Sequence, residues 1–146
     1  MLSVIQRVQS ARVEVQGAVV GEIQNGLAVL VCAQPNDTID VARAMVDRLL
    51  RMRLFSDAQG KMNLSLTDIQ GGLLLVSQFT LAADVRKGTR PGFSGAAKPD
   101  EAKAWYDALL NEARARHPNV AAGVFGANMQ LHLINDGPVT IPFSLP

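Results

Sequence analysis

Two short stretches carry the groups most able to do chemistry. Ser77-Gln78-Phe79-Thr80-Leu81 ends the most hydrophobic run in the chain and offers two hydroxyls, a carboxamide and an aromatic ring within four positions. A buried strand that turns polar at one end delivers such side chains into a pocket. An edge strand with one wetted face would carry the same pattern. Asn135-Asp136-Gly137-Pro138-Val139-Thr140 interrupts two strand-like runs, residues 129–134 and 139–143. Glycine adopts dihedral angles that other residues avoid, and X-Pro is the peptide bond that reaches the cis form at modest cost. An ordinary hairpin turn uses these residues too. A third stretch, Arg86-Lys87-Gly88-Thr89-Arg90-Pro91-Gly92-Phe93-Ser94-Gly95, reads as a long loop with three cations. Loops of this length are uncommon unless functional or mobile. Cations with exposed amides suit phosphate contact, and a solvated surface loop is the alternative.

The conventional reactive groups are scarce. Cys32 is the only cysteine and sits inside an apolar run, where burial raises thiol pKa, so it reads as structural. His117 precedes Pro118 at a helix stop and reads as a surface histidine favoured by the helix dipole. His132 shares a strand face with Gln130 and Ile134, with no carboxylate in its own segment to orient it. The chain holds no H-E-x-x-H, no C-x-x-C, no G-x-S-x-G elbow, and no phosphate-loop or dinucleotide glycine pattern. No metal or other cofactor is expected. An enzyme with this inventory would act by positioning and by polarisation from the backbone rather than through an activated side chain.

The elements that must position these groups follow from periodicity. Residues 4–8 and 11–15 predict two short strands paired antiparallel across Ser10, followed by a strand over 19–23 and a turn at Asn25-Gly26. Residues 27–32 are apolar on both faces, as in a central strand buried from two sides. Asp37 is the expected N-cap of a first helix, with Val41, Met45, Leu49 and Met52 as its apolar stripe. Leu54-Phe55 opens a strand, and residues 62–66 return as a short strand or irregular segment. Residues 73–81 predict one strand with Ser77, Phe79 and Leu81 on one face and Gln78 and Thr80 on the other. Pro99 fits the first turn of a second helix, and strands over 120–125 and 129–134 complete the sheet.

At 146 residues, 48% hydrophobic and 18% charged, the chain suits one globular domain over 1–146, large enough for a core without disulfide or metal. The formal net charge of +1 argues against bulk binding to long nucleic acid and leaves room for a local phosphate contact. No leader layout and no membrane-length apolar run is seen, so a cytoplasmic protein is expected, with no membrane and no DNA partner. The order of elements predicts an α+β domain with two main helices layered on strongly bent antiparallel or mixed sheets, barrel-like in form.

The two marked stretches resemble the paired motifs of D-aminoacyl-tRNA deacylases. The resemblance extends through Ile5-Gln6-Arg7-Val8, Phe55-Ser56-Asp57, Lys61-Met62-Asn63-Leu64-Ser65, Arg86-Lys87-Gly88, Arg90-Pro91 and Phe125-Gly126-Ala127-Asn128-Met129-Gln130, essentially the whole chain. It implies a homodimer that hydrolyses the ester between tRNA and a D-amino acid, or glycine misattached to tRNA(Ala). It implies a cis step at Gly137-Pro138 that reaches the partner's pocket and excludes L side chains, with Arg7 holding that segment. It assigns Ser77, Gln78, Phe79 and Thr80 to the site, with Phe125, Gly126, Met129, Asn135, Val139 and Thr140 as binding residues. Phe79, Phe125 and Met129 would surround the terminal adenosine, and Arg86, Lys87 and Arg90 would meet phosphates. Two other readings stand beside it: an esterase driven by the side chain of Thr80 or Thr140, and a dimeric RNA-binding module without activity.

Overall fold

A computed structural model describes all residues, 1–146. The chain opens on one 14-residue strand, β1 (Leu2–Val15), rather than on two strands paired across Ser10. Its hydrogen-bonding partners explain the difference. β2 (Ala18–Ile23) returns antiparallel beside residues 11–15 of β1, and β3 (Gly26–Cys32) continues that return beside residues 2–8. The break predicted at Ser10 is a kink: Ile5 faces one core, whereas Val8, Ala11 and Val13 face another.

On its other edge β1 pairs antiparallel with β8 (Gln130–Ser144), a single strand through the segment expected to interrupt it. The β1–β8 register slips around Val8, opposite Asn135 to Thr140, so both strands bend at one corner. Such irregularities bend a strand and re-aim its side chains. Leu131 and Leu133 accordingly pack on the second core, and Ile141 and Phe143 on the first. The Gly137–Pro138 peptide, which is cis, occupies that corner.

α1 (Ile39–Arg51) is capped by Thr38, whose hydroxyl accepts from the Val41 N–H, and not by Asp37. Asp37 instead accepts from the Met1 ammonium at 2.8 Å and from the Gln34 N–H at 2.8 Å. The buried face of α1 is Ala42, Met45, Val46, Leu49 and Leu50, wider than the expected stripe. β4 (Arg53–Ser56) and β5 (Met62–Ser65) form a separate two-stranded sheet. A one-turn helix, α2 (Leu66–Ile69), follows with a reciprocal Ser65–Asp68 capping box that the sequence reading missed.

β6 (Gly72–Ser77) runs parallel to β3, and β7 (Val120–Ala122) parallel to β6. The predicted strand over 73–81 therefore stops at Ser77, and Phe79–Ala82 forms a 3₁₀ turn. β7 ends three residues before the expected limit. α3 (Pro99–Arg116) lies across the sheet beside α1, with Arg116 on Asp47 at 3.0 Å. The sheet order β2-β1-β3-β6-β7 curls until β7 meets β2, where a Cβ on Gly21 would strike the Ala122 carbonyl. The result is the expected α+β architecture: a nearly closed barrel with helices on one side. No helix is long and apolar enough to cross a membrane.

Candidate active site

β3 and β6 are buried on both faces because their neighbours cover them: Leu27, Val29, Leu73 and Leu75 join the helix-side core, and Ala28, Leu74 and Val76 fill the barrel. Their C-terminal ends open together into a cavity of about 740 Å³, roofed by the first turns of α3 and the segment 125–131. Seventeen of its 23 lining residues are hydrophobic. Ser77, Gln78, Phe79, Phe125, Gly126 and Met129 all line it. Two contacts set its apolar wall. Tyr106 donates its hydroxyl to the Leu75 carbonyl at 2.9 Å and packs its ring against Phe125, centroids 5.9 Å apart. Gly123 lacks the Cβ that would collide with the Met129 sulfur.

The turn at Phe79 decides what this cavity offers. Gln78 N–H is held by the Val31 carbonyl at 2.7 Å, and the Leu81 N–H closes the turn on the Gln78 carbonyl at 3.2 Å. In a turn of this type the amides of its first two residues have no partner within it. Phe79 and Thr80 therefore present free N–H groups where the strand ends. The Gln78 carboxamide donates to the Thr80 hydroxyl at 2.5 Å, and no histidine or carboxylate bonds that hydroxyl to take its proton. Thr80 does not line the cavity, although Phe79 beside it is 56% exposed at its mouth and stacks edge-on against Phe93, centroids 5.0 Å apart. Burial pushes the Cys32 thiol up, and its sulfur lies 3.6 Å from the Phe79 carbonyl. A neutral buried thiol suits the structural role read from its sequence context.

The remaining residues of the second motif stand elsewhere in the protomer. Asn135, Gly137, Pro138, Val139 and Thr140 lie along the β1–β8 corner and none lines the cavity. Gly137 needs glycine there, with φ at +128°. Arg7 ties the corner down: its Nε donates to the Asp136 carbonyl at 3.0 Å and its Nη1 to the Leu54 carbonyl at 2.6 Å. A protomer alone thus does not unite the two motifs. In the loop, a bridge between Asp84 and Gly92 closes the base, and Arg86 is held twice by Asp84, at 2.9 and 2.6 Å. That ion pair lowers the Asp84 carboxyl and occupies Arg86, while Lys87 and Arg90 are exposed and make no ion pair.

Neither histidine joins the site. His117 is buried rather than on the surface: Nε2 donates to the Gly71 carbonyl at 2.6 Å. The sequence reading failed because the partner lies in a distant turn. His132 meets Glu14 at 3.3 Å and Arg12 at 3.3 Å across the β1–β8 pair, and Arg12 and His132 hold the Glu14 carboxyl below its usual range. No three of His, Cys, Asp or Glu come together in a metal-holding group. Sequence reasoning also missed Lys98, which lines the cavity at the head of α3. Its one signal was its place immediately before the helix-opening Pro99.

The parallel β3–β6 pair thus ends in an apolar cavity, with a free backbone N–H at Phe79 beside it and no histidine or carboxylate among its lining residues. Comparison with known proteins identifies the class. Residues 4–144 match the family described as D-Tyr-tRNA(Tyr) deacylase. The D-aminoacyl-tRNA deacylase of Ectopseudomonas mendocina is 61% identical, covering 96% of this chain and 97% of that one. That of Variovorax paradoxus is 57% identical, covering 99% of each. A solved structure named c-Myc DNA Unwinding Element Binding Protein superposes with a TM-score of 0.95 at 39% identity, over 100% of this chain and 99% of that chain. A probable eukaryotic D-amino acid tRNA deacylase shares the fold, with a TM-score of 0.82 at 20% identity over 97% of each. The chain belongs to the D-Tyr-tRNA(Tyr) deacylase family, and so to the hydrolases that act on aminoacyl-tRNA.

Proposed function

We propose that this chain, as a homodimer, hydrolyses the ester between a D-amino acid and the terminal ribose of tRNA, and the glycyl ester on tRNA(Ala). The observation that carries the reading is the free N–H of Phe79 at the mouth of an apolar cavity, with that of Thr80 next to it in the chain and no adjacent base. Water adds to the ester carbon, and the oxyanion that forms accepts from these amides. The neighbouring ribose hydroxyl relays a proton to the departing ribose oxygen. Donors fixed before the reaction stabilise developing charge without reorganising, and one such donor is commonly worth ~10²–10³ in rate. Phe79, Phe125 and Met129 suit the face of the terminal adenine, where stacking on an aromatic contributes about 1–3 kcal/mol.

Selection between D and L substrates falls to the Gly137-Pro138 segment of the partner subunit. Its absence from its own cavity, and its tether through Arg7, support a role in the neighbour's. A stiff piece of main chain beside the α-carbon collides with an L side chain and leaves a D side chain or glycine free. The name carried by one structural relative speaks of a DNA element, but a net charge of +1 favours no long duplex here.

Purified protein assayed on D- and L-tyrosyl-tRNA tests the reading. Release of the D-amino acid alone is expected; hydrolysis of neither would leave an RNA-binding module. Thr80→Ala should keep kcat within about tenfold, since the backbone amide survives the substitution. A loss of several orders of magnitude with KM unchanged would return the hydroxyl to the chemistry. An ester on a 2′-deoxy terminus should be cleaved far more slowly if the ribose hydroxyl assists.

A further inference from the structure

The rim of the cavity carries one cation that the reading above does not use, on the exposed residue Lys98. Lys98 is one of the lining residues, and its ammonium makes no hydrogen bond and no ion pair. Its backbone is fixed on both sides. Ala97 N–H donates to the Ala33 carbonyl at 2.9 Å, Ala96 N–H to the Phe93 carbonyl at 3.0 Å, and the Lys98 carbonyl accepts from Ala102 at 2.7 Å. The side chain therefore projects from a defined point where β3 ends and α3 begins. No carboxylate lines the cavity. Asp100 and Glu101 stand on the first turn of α3, exposed and outside the lining. The Met1 ammonium, also in the wall, is already paired with Asp37 at 2.8 Å. In contrast, Arg86 of the loop is occupied by Asp84.

The terminal aminoacylated nucleotide brings two charges to such a cavity. The phosphodiester on its 5′ side is an anion, and the amino group of the esterified amino acid is a cation when protonated. A single unpaired ammonium attracts the first and repels the second. We propose that Lys98 is a positioning residue for this substrate: it binds the phosphate that joins the terminal adenosine to the preceding nucleotide, and so sets which way the nucleotide enters. The inference rests on the deacylase reading and deepens it. With Lys98 on the phosphate, the amino acid is directed away from the head of α3 towards the free amides of Phe79 and Thr80. Lysine serves as a flexible point charge here, so arginine should substitute and a neutral chain of similar length should not.

The test uses D-tyrosyl-tRNA, which has that phosphate, and D-tyrosyl-adenosine, which ends at the 5′-hydroxyl and lacks it together with the rest of the tRNA. Adenosine 5′-phosphate esterified with D-tyrosine, which restores the phosphate alone, should respond to the variants as the tRNA does. For Lys98→Met, KM for the tRNA should rise roughly three- to tenfold with kcat within twofold. The slope of log(kcat/KM) against log salt should flatten by about 0.7, the value for one phosphate on a single strand. Lys98→Glu should raise KM further, and Lys98→Arg should restore it. All variants should treat D-tyrosyl-adenosine as the wild type does, within twofold. Equal losses on both substrates, an unchanged KM for the tRNA, or a fall confined to kcat would each overturn the assignment. Failure of the wild type on both substrates would instead sink the deacylase reading, and this inference with it.

Discussion

Arg7 shows how much one side chain can hold. Its guanidinium is only 12% exposed and bonds carbonyls from two distant elements, β4 and the β8 corner. Hydrogen bonds to charged groups contribute about 1.5–3 kcal/mol each. Arg7→Ala, which removes both, should lower stability by about 3 kcal/mol or more, read from denaturant midpoints. If the corner selects substrate, the ratio of D- to L-tyrosyl-tRNA hydrolysis should fall as well. Tyr106 offers a pH test. Burial raises its hydroxyl from 10.0 to about 12. The unfolded phenol loses its proton near pH 10 while the folded one keeps it, so the stability is whole below that pH and falls as pH rises through about 12. The slope approaches ~1.4 kcal/mol per pH unit. Urea midpoints at pH 9, 10 and 11 should decline less steeply for Tyr106→Phe than for wild type; equal slopes would contradict this origin.

At the scale of elements, close backbone approach decides the barrel. A Cβ on Gly26 would run into the backbone of Gly72, at the start of the parallel β3–β6 pair. Gly26→Ala must move main chain rather than a side chain, and a loss of about 3 kcal/mol or more is expected in chemical denaturation. How far such features can be read from sequence depends on whether the pattern is local. The all-apolar run of β3 and the periodic faces of α1 and α3 report their own burial, so those elements were legible. The stop at Ser77 was not, because alternation through Leu81 looks the same whether the strand continues or tightens into a 3₁₀ turn; the Leu81 N–H on the Gln78 carbonyl decides it. Ser10 and the Gly137-Pro138 step were read as breaks because each is a bend, and only the pairing of β1 with β8 carries both strands through. His117 and Asp37 were misplaced for a related reason: their partners, Gly71 and Met1, are remote in sequence. The polar end of an apolar run marked the first motif as a pocket or a wetted edge; the resemblance chose the pocket, and composition added the scarcity of acid–base groups.

The whole molecule leaves the two motifs apart, and this is where the dimer reading can be tested. A protomer bearing Gly137→Ala keeps its cavity, and one bearing a Phe79→Ala cavity keeps its corner. Co-purified mixed dimers should contain one site with both parts impaired and one with neither, so that about half of wild-type D-specific activity returns while each homodimer stays defective. Absence of any recovery in verified mixed dimers would place selection within one chain. One further feature of α3 bears on all such measurements. Trp105, the only tryptophan, packs against the helix-side core with its indole nitrogen buried and without a partner, between Ala102 and Tyr106 of the cavity wall. The protein thus carries a single tryptophan, partly buried and flanked on α3 by two residues that line the cavity. Its emission should shift to longer wavelength on unfolding, and a change on adding a non-hydrolysable adenosine analogue would report occupancy with no label attached.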